Sequence, residues 1–241
     1  MAHPDLLIRA CLLLALLALL APTAAQALEV SPLRIALRPE QRDSELWLHN
    51  ETAQPWSGQA RLYRWEQSVD AERLTPAQDV VVSPTRLALA PNARQRVRVV
   101  RIGAAPTAEQ GYRLVLRAGP GSPPLQVSLP VFVAGPQPRP APALSTDLRD
   151  AAGHAMLVLY NGGTGHARLA DLTFIGPDGR ATLLLPDLAG YVLAGSTRLW
   201  ALPGPAAGYV GGRFRARIGD AEPGDLPVGA PPIALPPLPG L

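Results

Sequence analysis

Leu125, Val127, Leu129, Val131 and Val133 recur at every second position, the longest such series in the chain. A period of two places these side chains on one face of an extended strand, whereas a helix would scatter them around its surface. Shorter runs share the pattern. Leu33, Ile35 and Leu37 alternate with Arg34 and Ala36, Leu46 and Leu48 with Trp47 and His49, and Val97 and Val99 with Arg96 and Arg98. Tyr112, Leu114 and Leu116 follow the same rule. Between the runs stand turn formers: 28 of the 241 residues are proline and 22 are glycine. They interrupt every stretch long enough for a long helix. Half-buried strands separated by roughly 8–15 residues predict antiparallel sandwiches rather than alternating strands and helices. The expected fold class is all-β.

Residues 1–27 read as a secretory signal peptide. Arg9 precedes an apolar run from Ala10 to Ala21, and Ala25-Gln26-Ala27 supplies a small-residue cleavage site. That order of basic, apolar and small segments directs export, and the run is too short to span a bilayer comfortably. The expected mature protein starts at Leu28, lies in the periplasm and inserts in no membrane. The single cysteine, Cys11, falls inside the signal. A mature chain without disulfides must hold itself by core packing, which suits domains of about 100 residues. The expected organisation is a first domain over 28–135, a proline-rich linker over 136–142 and a second domain over 143–221. A proline-rich disordered tail is expected over 222–241. Second-domain strands are expected at Met156–Tyr160, Ala167–Ile175, Ala181–Leu185, Thr197–Leu202 and Arg213–Ile218.

All 22 basic residues are arginines, and the net charge is +3. From 28 to 135 there are 13 arginines against 10 acids, and from 136 onward 8 against 8. The weak basic excess therefore belongs to the first domain. No segment is dense enough in positive charge for a nucleic-acid surface, so no nucleic-acid partner is expected. Catalytic constellations are scarce. His49, His154 and His166 are not spaced as metal ligands, and no nucleophile elbow or phosphate-binding loop occurs. No metal, cofactor or enzymatic activity is expected.

Two blocks together resemble a known family. The first is Val82-Ser-Pro-Thr-Arg-Leu-Ala-Leu-Ala-Pro-Asn-Ala-Arg-Gln-Arg-Val-Arg-Val99, followed by Glu109-Gln-Gly-Tyr-Arg-Leu-Val-Leu116 and Leu129-Pro-Val-Phe-Val133. The second is Leu188-Ala-Gly-Tyr-Val-Leu-Ala-Gly-Ser-Thr-Arg-Leu-Trp200, and Leu46-Trp-Leu-His-Asn50 adds an early strand ending in asparagine. In this order, after a signal peptide, they resemble the PapD-like periplasmic chaperones of the chaperone–usher pathway, most of all the archaic Csu-type branch. The resemblance implies two immunoglobulin-like β-sandwiches set at an angle, like a boomerang, with a cleft between them. It implies pilus subunits as partners. A subunit lacks one strand, and an exposed sheet edge invites aggregation. The chaperone lends a strand of its own and delivers the subunit to an outer-membrane usher.

Carried over by residue, the lent strand is Leu125, Val127 and Leu129. Arg34 matches the arginine that holds a subunit's C-terminal carboxylate, with Arg98 and Arg113 as helpers. The chain departs from the family where a second anchor is normally a lysine. The corresponding position is near Pro130, and the chain has no lysine. Pro123 and Pro124 also shorten the lent strand, because proline cannot donate to a ladder. Two other readings are a structural pilus subunit or adhesin and an exported β-sandwich enzyme. Subunits are usually single domains, so the expected two-domain organisation separates this chain from the first, while fold alone does not separate it from the second.

Overall fold

A computed structural model describes residues 28–69, 71–136 and 141–229. The expected signal peptide, the linker residues 137–140 and residues 230–241 of the expected tail lie outside the described residues. The strands in chain order are β1 (Leu28–Ser31), β2 (Ile35–Leu37), β3 (Asp43–Asn50), β4 (Trp56–Gln67), β5 (Glu72–Pro76), β6 (Val80–Ser83), β7 (Arg86–Leu89), β8 (Arg94–Arg101) and β9 (Gln110–Ala118). They continue with β10 (Gln126–Val133), β11 (Leu144–Ala151), β12 (His154–Asn161), β13 (Ala167–Ile175), β14 (Ala181–Val192), β15 (Thr197–Ala201), β16 (Arg213–Ile218) and β17 (Gly224–Asp225). A short 3-10 turn spans Ala206–Tyr209, and no α-helix occurs among the described residues. The all-β expectation holds.

Four sheets form two sandwiches. The first pairs a sheet of order β1-β3-β8-β6 with one of order β2-β10-β9-β4-β5, in which β7 also pairs with β4. The second pairs β11-β12-β15 with β14-β13-β16-β17. Alternation is what allows each sheet to bury one face. Leu46, Leu48, Val97 and Val99 of the first sheet pack in one core with Leu114, Leu116, Val131 and Val133 of the second. Each such aliphatic side chain contributes about 1.5–3 kcal/mol on full burial. A separate core joins Leu157, Leu159, Leu169, Leu172 and Trp200.

Three local readings change. Leu33 does not share the core side with Ile35 and Leu37; it is 67% exposed. The chain leaves the first sheet after β1 and enters the second at β2, so the alternation loses its phase across Pro32–Arg34. β14 runs on to Val192, past Pro186, because register shifts against β13 absorb the irregular residues. Residues 222–229 are not a structureless tail. Leu226 is buried in the second core, β17 pairs with β16, and the Thr146 hydroxyl donates to the Pro227 carbonyl at 2.7 Å. Proline and glycine hid this packing because the strand is only two residues long.

One asparagine closes each sandwich. Asn50 donates through Nδ2 to the carbonyls of Gln54, Leu89 and Ala90. Asn161, fully buried, donates to Gly165 and Val192 at 2.8 and 3.1 Å and accepts from the N–H groups of Ala143 and Gly163. Asn161→Ala leaves the buried carbonyls of Gly165 and Val192 without their partner and also frees the part-buried N–H groups of Ala143 and Gly163. The expected loss is about 2–4 kcal/mol, read by chemical denaturation of the whole protein.

Candidate functional site: a free strand edge beside an interdomain cleft

The N–H of Ala118 donates to the Leu125 carbonyl at 2.8 Å, and the N–H of Ala134 donates to the Leu37 carbonyl at 2.9 Å. These two bonds set the phase of β10. Odd-numbered residues turn their backbone groups toward β9, and even-numbered ones turn theirs toward β2. Yet β2 pairs only with Val131, Phe132 and Val133. Gln126 and Ser128 therefore present N–H and C=O groups along an edge that no described strand occupies. At Pro130 the free edge ends: the residue has no N–H to offer, and in this phase the parallel bridge between Val131 and Ile35 turns its carbonyl to β2.

The side chains of the expected lent strand are not equivalent. Leu129 is a buried member of the first core. Leu125 and Val127 are half-buried and pack against that core from its rim. They continue the core's apolar row out to the tip of the β9–β10 hairpin, and Leu129 anchors the row from inside.

Arg34 lies in the crossing just before β2, close to where the free edge of β10 ends. It is exposed and lines a cleft of about 630 Å³ with Leu37, Glu109, Phe132, Gly165 and His166, residues of both sandwiches. Arg113 stands directly across from Pro130 on β9. Its guanidinium carbon sits 3.7 Å from the centre of the Trp65 ring and 5.9 Å from that of Tyr191. Burial pulls the Arg113 pKa below the usual guanidinium value, while the electron-rich ring faces compensate part of the lost solvation. Arg98 does not join them. Burial of Val97 and Val99 turns it to the outer face of the other sheet, where it binds Asp43 at 2.7 Å.

The junction between the sandwiches was not legible in the sequence. Trp65, Phe132, Tyr191 and Leu193 form a small core of their own. Gln67 donates to the Tyr191 carbonyl at 3.0 Å and accepts from the Leu193 N–H at 2.9 Å. The backbone N–H of His166 donates to Glu109 Oε1 at 2.6 Å, and its ring Nδ1 lies 2.9 Å from the same oxygen. The His166 ring also stacks on Phe132, with centroids 3.4 Å apart, and Arg198 pairs with Glu72. The available signal was an aromatic residue in the outward phase of two strands, Trp65 in β4 and Phe132 in β10. His166→Ala removes the stack and the ring contact together. The two sandwiches should then melt as separate calorimetric transitions instead of one, with the first domain's own midpoint unchanged.

Among the described residues, one trio could ligate a cation: Glu29, His49 and Glu51, with donor atoms within 4.8 Å of one another. It lies on the outer face of the first sheet, not on the sheet that contains β10.

By sequence, residues 27–132 match the family described as pili and flagellar-assembly chaperone, PapD N-terminal domain. The first sandwich is a PapD-type chaperone domain. No curated protein matches the chain by sequence. Solved structures match both sandwiches. One is the CsuC–CsuE chaperone–tip adhesion subunit pre-assembly complex from archaic chaperone-usher Csu pili of Acinetobacter baumannii. It matches with 19% identity and a TM-score of 0.70, over 85% of this chain and 100% of that one. Another is the CupB2 chaperone of Pseudomonas aeruginosa, with 16% identity and a TM-score of 0.57, over 83% and 100% of the two chains. A third is the SafA pilin–SafB chaperone complex of Salmonella enterica, with 16% identity and a TM-score of 0.56, over 84% and 97%. At these identities the likeness carries the fold: the PapD-type domain is followed by a second β-sandwich, as in the solved chaperones.

Proposed function

We propose that this chain is a periplasmic chaperone that captures pilus subunits by lending them β10 and passes them to an outer-membrane usher. The observation that supports it best is the free edge of β10 from Gln126 to Ser128, which runs toward Arg34. An incoming strand would pair with Gln126 and Ser128 and complete the ladder. Leu125 and Val127 would enter the subunit's open groove as an extension of the chaperone's own core. The subunit's terminal carboxylate would reach Arg34, with Arg113 the second cation of that region in place of the missing lysine. A guanidinium suits this task because it can grip a carboxylate with two parallel hydrogen bonds. Export after Ala27 would deliver the chain to the compartment where subunits emerge. The capture reading needs no catalytic group.

The direct test is isolation of the tagged chain from periplasm together with the products of adjacent pilus genes. A stable 1:1 complex with a small β-rich subunit supports capture, and a chain that stays free in their presence refutes it.

A further inference from the structure

The outer face of the sheet containing β10 is a lattice that can be read row by row. Burial of Ala60, Leu62, Leu114, Leu116, Leu129 and Val131 turns the intervening side chains outward. At the domain junction the row is Trp65, Gly111 and Phe132; next come Tyr63, Arg113 and Pro130. Farther out lie Arg61, Val115 and Ser128, and at the tip Gln59, Arg117 and Gln126. These three outer rows contain three arginines and no carboxylate. Among the described residues none of the three arginines has an ion-pair partner, in contrast to the outer face of the opposite sheet, where Arg96 binds Glu45 and Arg98 binds Asp43.

The tip row leans toward the free edge. Arg117 Nε donates to Gln126 Oε1 at 3.2 Å, so this guanidinium already lies over β10. Arg61 donates to Gln59 Oε1 at 3.2 Å and so adds its charge to the same row. The residues of β10 beneath them, Ser128 and Pro130, have low side chains. A strand added to the edge would lie about 9.6 Å from β9, two strand spacings. An extended arginine and a glutamate can span that together.

We infer that this lattice, with Arg117 nearest the free edge, selects subunits whose added strand carries carboxylates on its outward face. The inference rests on the capture reading above and specifies the client by charge: apolar residues point into the shared core, and acidic ones alternate with them outside. Exposed charge pairs of this kind act mainly on encounter and choice of partner, and salt screens them.

The test uses ten-residue peptides with valine at alternate positions and glutamate, glutamine or lysine between them, each with a free C-terminus. They are titrated into the isotope-labelled whole protein at low salt. The expected result is an order of glutamate, glutamine, lysine, with at least a tenfold gap between first and last, and with Gln126 and Ser128 amides shifting. The gap should collapse in about 1 M salt, where the screening length is ~3 Å. In the double variant Arg61→Gln/Arg117→Gln it should fall below threefold, with the glutamine peptide bound as before. Equal binding of the glutamate and lysine peptides overturns the inference while leaving strand addition standing, and so does a gap that the double variant does not narrow. If no peptide moves the Gln126 and Ser128 amides, strand addition at β10 itself is refuted, and the inference falls with it.

Discussion

Arg34→Ala leaves the chain folded and soluble and weakens capture of a pilus subunit by at least tenfold. The side chain is exposed in the crossing between β1 and β2 and belongs to neither core, so its loss should shift the melting midpoint little. Capture is different. With the subunit in place, the guanidinium and the terminal carboxylate leave water together, and removing one partner of such a contact leaves the other charge uncompensated. A tenfold loss is about 1.4 kcal/mol, less than the roughly 2–5 kcal/mol that removing one partner of a desolvated pair costs, so tenfold is the floor of the expected effect. Arg34→Lys should recover part of the affinity, since a point charge replaces a two-pronged contact. Extending the subunit's C-terminus should reproduce the Arg34→Ala defect in native protein. The measurement is equilibrium binding of purified components. Unchanged affinity in Arg34→Ala would assign the carboxylate to another residue, with Arg113 the first to examine.

Val127→Glu is expected to have the largest effect of any single change at the site. Val127 packs on the rim of the first core while part of its surface stays open. In the free chain a carboxylate there can turn to water, at a cost of about 1 kcal/mol in lost packing. Inside a subunit's groove it has no such escape. Burying it there costs several kcal/mol, enough to abolish a complex. The variant should therefore be recovered folded, with near-native circular dichroism, and without any bound subunit. Leu129→Glu is the control with the opposite outcome. Leu129 is 4% exposed within the core, so that change should unfold the free domain. If Val127→Glu also unfolds the free protein, Val127 belongs to the core and the lent row shrinks to Leu125.

Local pattern carried the sheets and not the contacts between them. Period-two alternation located β3, β8, β9, β10, β13 and β16, because one buried face requires one apolar residue in every two. It misplaced Leu33 because a strand that changes sheets also changes which side is inside. It missed β17 because two residues have no period. The edge of β10 was legible only in part. The alternation of Leu125, Val127 and Leu129 marked the strand, but which backbone groups face outward depends on the short overlap with β2. The cleft was harder still. Glu109 and His166, or Trp65 and Tyr191, meet only after both sandwiches have formed. Arg98 and Arg113 look alike in sequence, and their opposite settings come from the sheet to which each strand belongs.

The two ends of β10 are held very differently. At Phe132 the strand is bonded to β9, overlapped by β2 and covered by the His166 ring. At Gln126 it has a neighbour on one side alone. A client strand laid along it would be riveted at the inner end and open at the outer one, like a zip with a single stop. Its removal by a competing segment would then begin at the tip, the end that no carboxylate contact holds, and travel inward toward Arg34. The carboxylate contact would be the last to let go, so a client halfway through exchange would remain tethered and could not diffuse away to aggregate.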